Sequence, residues 1–186
     1  MTDHAALPTW LTGPSDDECR TVLDAARASG ALGAGDVSVV FHDLDLLEAR
    51  IAELSDTFPA GTLHALAVKA NPLVAVLAVA VGAGAGLEAA SIEEVHLAIA
   101  AGCPPDRIVY DSPAKTGGEI DEALRLGIRL NVDNLDELDR VLRSEAGTGA
   151  SIVGVRVNPM VREGTIGTTS VGGGRSRFGL PFDVAM

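Results

Sequence analysis

Five short apolar stretches begin at residues 63, 86, 107, 128 and 152, one every 21 to 24 residues. They read LHALAVK, GLEAA, RIVY, IRLNV and IVGVRV, with the length and make-up of strands. Helical patterns with boundary signals fill the intervals. Asn71 can cap and Pro72 can open the first. Ser91 and Glu94 form a capping-box pattern for the next, and Gly102 ends it. Ile92, Val95 and Ile99 give that helix an apolar face, and Leu135, Leu138, Val141 and Leu142 do the same for segment 134–144. Strands alternating with helices at this interval mean βα units and a parallel sheet. The choice lies between an open doubly wound sheet and a (βα)8 barrel. A barrel takes about 250 residues. This chain of 186 residues leaves room after its leader for about five barrel strands, so a barrel here is incomplete.

Ahead of this repeat, residues 1–35 read as an irregular or partly helical leader. VSVVF at 37–41 reads as a strand, followed by a helix with Leu44, Leu47, Ile51 and Leu54 at helical spacing. Pro59 and Gly61 stop that helix. Residues 36–186 are therefore expected to form one domain or part of one. Hydrophobic residues make up 47% of the chain and aromatics 3%, so its core must be aliphatic.

The net charge of −12 argues against a nucleic-acid partner, because no basic patch is available to neutralise phosphates. Cys19 and Cys103 are far apart and read as reduced thiols. The histidines show no metal-ligand spacing. No charged segment precedes an apolar one at the N-terminus, and the apolar run 73–87 is short and glycine-rich for a membrane span. The expectation is a cytoplasmic protein with neither a membrane nor a nucleic-acid partner. VGAGAG at 81–86 hints at a dinucleotide fingerprint, but Leu87 stands where its third glycine belongs.

The residue that packing alone does not explain is Lys69, in HALAVKANP at 64–72. Side chains alternate across a strand, so a strand through Lys69 gives it a face shared with Leu63, Ala65 and Ala67. Those small neighbours leave room beside the amine. In a barrel, chemistry sits at the C-terminal ends of strands. An amine held there in an apolar setting has a lowered pKa and can attack a carbonyl to form a Schiff base. The plainer alternative is a lysine that snorkels to solvent at a strand end.

The motifs AVKANP, GLEAAS, the segment from AGCPPDRIVYDSPAKTGGEI to NVDNLDEL, VGVRVNP and GGRSRFGL occur in one order. Together they resemble the fold-type III pyridoxal-phosphate-dependent decarboxylases, the ornithine/diaminopimelate/arginine decarboxylase family, over about residues 36 to 182. The resemblance implies an alanine-racemase-like (βα)8 TIM-barrel domain, here its N-terminal part, and a C-terminal β-domain that this chain lacks. It implies that Lys69 carries pyridoxal 5'-phosphate as a Schiff base. Glu88 falls on the acidic position of G-x-D-x-x-S, a glutamate where the family has aspartate. Arg156 falls on the arginine that approaches the cofactor's phenolic oxygen, and Arg177 on the basic residue of S-[KR]-F-G. Glu88 as a helix-capping carboxylate and Arg156 as a simple salt-bridge former are the plainer readings.

The implied activity is decarboxylation of a basic or dibasic amino acid by a homodimer. The alternatives are a non-catalytic pyridoxal-phosphate carrier and an alanine-racemase-like enzyme. Leu66 departs from the family, which has an aromatic there. The family's stacking histidine, phosphate-binding glycine loop and pyridine-nitrogen glutamate all lie beyond S-[KR]-F-G. The chain is therefore expected to be a fragment with little activity alone. The glycines of SVGGGRS, 170–176, read as a mobile loop rather than that phosphate site.

Overall fold

The computed structural model describes residues 13–146, 149–160 and 176–185. The chain divides into two compact units between His42 and Asp43. In the first, α1 (Asp16–Ala28) starts at a capping box: the Ser15 hydroxyl accepts from the Glu18 amide, and the Glu18 carboxylate accepts from the Ser15 amide. Residues 37–41, expected to be a strand, are not one. A β-branched run favours extended backbone, but a strand needs a partner edge, and the described residues of this unit offer none. Val37 and Val40 are exposed accordingly.

The second unit opens with α2 (Leu44–Thr57), capped by Asp43, whose carboxylate accepts from the Leu46 amide. Ile51 is its buried residue; Leu44 and Leu54 are partly exposed. A sheet of five strands follows: β1 (Ala65–Ala67), β2 (Gly86–Ala89), β3 (Ile108–Asp111), β4 (Arg129–Val132) and β5 (Val153–Val155). Their spatial order is their chain order and every pair is parallel. Helices α3 (Val74–Gly82), α4 (Ile92–Ala100), α5 (Gly117–Leu126) and α6 (Leu135–Arg143) make the crossovers. A second, two-stranded parallel pair joins β6 (Val157–Asn158) to β7 (Leu180–Pro181), before the short α7 (Phe182–Ala185). Sequential strands lie side by side, so of the two arrangements the repeat left open this is the barrel type, incomplete, as the family resemblance implies.

The core lies between the sheet and its helices. Leu87, Ala89, Ile108, Tyr110, Leu130 and Val132 point to that side and are fully buried, while Glu88, Val109, Asp111, Arg129 and Asn131 alternate onto the opposite, more open face. Gly86 on β2 lets the backbone just ahead of β3 and the Leu63 side chain come close. A Cβ there would lie 2.5 Å from the Arg107 carbonyl oxygen and 2.7 Å from Leu63 Cδ1.

Several boundaries differ from expectation. α3 starts at Val74, with Asn71 and Pro72 outside it; the Asn71 side chain accepts from the Leu73 amide instead. The face that α4 buries is Ile92, Val95 and Ala98, and Ile99 is 40% exposed. In α6 Val141 is buried and Leu138 packs on the core, but Leu135 and Leu142 are exposed. Both helices follow the 3.6-residue period, but each meets the core along a narrower stripe than its apolar residues span. The loop expected at 170–176 lies, apart from Ser176, outside the described residues.

Candidate active site

Each of the five parallel strands delivers a charged side chain at or just past its C-terminal end: Lys69, Glu88, Asp111, Asp133 and Arg156 in turn. The first two meet. Lys69 Nζ lies 3.6 Å from Glu88 Oε2. Lys69 is not on the strand itself. β1 ends at Ala67 and the backbone tightens into a 3-10 turn, Val68–Ala70, closed by the Asn71 amide donating to the Val68 carbonyl. The turn buries Val68 fully and interrupts the alternation that would have set Lys69 among small residues. The expectation of a sheltered, apolar setting is corrected: the lysine side chain is 61% exposed and its neighbour is a carboxylate. Glu88 is the more enclosed partner, at 19%.

Arg156 stands at the other end of the row, between β5 and β6. Its amide donates to the Val132 carbonyl, and its carbonyl accepts from the Leu180 amide, so the backbone on both sides is fixed. The guanidinium sits 3.5 Å from Asp111 and 3.6 Å from Asp133, and lies over the Phe178 ring at 4.6 Å. Asp133 also accepts from the Gly179 amide. Burial pushes the Asp133 carboxyl above its ordinary value, opposed by that amide and by the arginine. One oxygen of Asp111 is buried with no hydrogen-bond partner among the described residues. Arg177, beside the stacking Phe178, is exposed.

The site residues expected from sequence thus fall into two groups, Lys69 with Glu88 and Arg156 with two aspartates; no ion pair joins the groups among the described residues. Neighbouring strands are about 4.8 Å apart, so three strand intervals separate β2 from β5 by roughly 14 Å along the sheet. Asp111 and Asp133 were not singled out by motif. The signal that finds them is position: each is an acidic residue ending a parallel strand, where barrel chemistry sits.

A parallel βα sheet in chain order, with charged side chains along its strand ends, defines a barrel-type α/β domain. Residues 44–186 match the family of the pyridoxal-dependent decarboxylases, pyridoxal binding domain, and the chain belongs to that family. It is 34% identical over 127 residues to the diaminopimelate decarboxylase of Zymomonas mobilis, covering 67% of this chain and 30% of the relative. The same enzyme of Deinococcus radiodurans is 34% identical over 157 residues, covering 84% and 38%. Among solved structures, diaminopimelate decarboxylase of Helicobacter pylori complexed with L-lysine superposes with a TM-score of 0.67 at 28% identity, over 77% of this chain and 37% of that one. Lysine/ornithine decarboxylase of Vibrio vulnificus complexed with putrescine gives 0.57 at 26% identity, over 69% and 34%. The chain spans about a third of the length of these relatives.

The cofactor this family implies is pyridoxal phosphate. The Lys69–Glu88 pair fits its aldehyde end: a primary amine with a carboxylate beside it.

Proposed function

We propose that this chain supplies the lysine-bearing strand ends of a pyridoxal-phosphate-dependent decarboxylase acting on a basic or dibasic amino acid of the diaminopimelate, ornithine, lysine and arginine class, assembled as a homodimer. The observation that carries the reading is the Lys69–Glu88 pair at adjacent parallel strand ends, 3.6 Å apart, in a chain of this family. Pyridoxal phosphate, when bound, supplies an electron sink for the bond broken at the substrate's α-carbon. Lys69 is the amine that would hold it covalently and yield its place to the substrate's amine. Glu88 stands where it can take a proton from Lys69 Nζ or return one. Arg156 offers fixed positive charge to the phenolic oxygen, with its direction set by Asp111, Asp133 and Phe178. The names of the relatives support the substrate class.

The test is capture of the cofactor. Incubation with pyridoxal phosphate should give an absorbance band near the visible edge. Borohydride should remove it and leave the added mass on the Lys69 peptide, and Lys69→Ala should show neither. A label on another lysine, or none, would refute the assignment. Release of carbon dioxide from one of the four amino acids then separates an enzyme from a carrier.

A further inference from the structure

Behind the arginine lies a buried ion pair. Lys115 Nζ is 2.8 Å from Glu137 Oε2, and the two side chains are 0% and 2% exposed. Glu137 also accepts the Lys115 amide at 3.1 Å and the Asp133 amide at 2.9 Å. The ammonium donates to the Ser112 carbonyl and sits 5.6 Å from the Tyr110 ring centre. Arg140 donates to the Lys115 carbonyl, and Asn134 caps α6 by accepting from the Glu137 amide. One carboxylate therefore ties the loop leaving β3 to the loop leaving β4. The second of those loops begins with Asp133, which faces Arg156.

Stability alone is a weak reason for this pair. Withdrawing two charges from water offsets most of their attraction, and apolar side chains of similar volume stabilise such a place as well or better. An apolar pair cannot accept the Asp133 amide. We propose that Lys115 and Glu137 are positioning residues for the candidate site: they set the Asp133 backbone, and Asp133 in turn aims the Arg156 guanidinium. This rests on the reading of Arg156 as a cofactor-facing group.

The test uses the full 186-residue chain. The double variant Lys115→Met with Glu137→Leu replaces the ion pair by apolar bulk. It should melt close to the parent yet bind pyridoxal phosphate roughly tenfold more weakly, the size of effect that loss of an outer hydrogen-bonding partner has on a bound group. The Arg156 side-chain N–H resonance, read by NMR without cofactor, should shift or broaden. Glu137→Gln, which keeps shape, should move both readouts in the same direction, and adding Asp133→Asn to it should move them little further. A double variant with the parent's affinity and an unmoved Arg156 resonance would overturn the proposal. So would a loss of melting temperature with no change in either readout, which marks a purely structural pair. Should the double variant fail to fold, Asp133→Asn alone decides: an Arg156 resonance that stays where it is in the parent overturns the relay. Should the parent take up no pyridoxal phosphate, the cofactor reading falls, and the Arg156 resonance still judges the relay.

Discussion

Asp133 shows how one side chain serves two ends. It holds Arg156 and is itself held by the Gly179 amide, at the cost of burial that pushes its carboxyl up. Its folded pKa lies above its unfolded one, so the folded chain keeps the proton longer. Stability therefore falls as pH rises from the ordinary carboxylate value through the raised one, and stays lowered above it. Asn at this position has no such proton. Urea denaturation at a series of pH values should show the difference in stability between Asp133→Asn and the parent moving in the variant's favour across that window, then levelling. A shift the other way would mean that Arg156 outweighs burial. At this scale the motifs pointed to Lys69, Glu88 and Arg156, but not to the setting of Lys69. That depends on the 3-10 turn over Val68–Ala70, which buries Val68 and turns Lys69 out of the strand.

Among the elements, capping chemistry was the most legible part. Ser91 accepts from the Glu94 amide as its pattern predicts, although the Glu94 carboxylate reaches back to the Ala90 amide rather than to Ser91. Such signals are local, made by residues three or four apart. Gly86 is different. Nothing in GLEAA says that the place of its missing side chain is taken by the Arg107 carbonyl just ahead of β3, because Arg107 is 21 residues away in sequence and adjacent only after β2 and β3 pair. Gly86→Ala should force those strands apart and cost roughly 1–3 kcal/mol, as overpacking does. The denaturation midpoint in urea would register it. The apolar residues on α4 and α6 teach the same lesson. Period and composition name the amphipathic helix, but only its seat on the sheet decides that Ile99 and Leu142 face outward.

At the scale of the whole molecule, charge and topology act together. The net charge is −12, and most of it is solvated, so self-repulsion works against the compact state. Raising ionic strength from about 0.01 M to about 0.15 M shortens the screening length from about 30 to about 8 Å. The melting temperature of the chain should rise accordingly, and a fall would show that surface ion pairs such as Arg143–Asp139 outweigh the repulsion. The alternation of five strands and their helices was written in the sequence, because a strand and a helix each carry their own period and their own stop signals. Which charges meet was not. Lys69 with Glu88, Arg156 between two aspartates, and Lys115 beneath them come from residues tens of positions apart. They are joined by strand register and by the depth at which each loop turns, quantities that exist only once the sheet has formed.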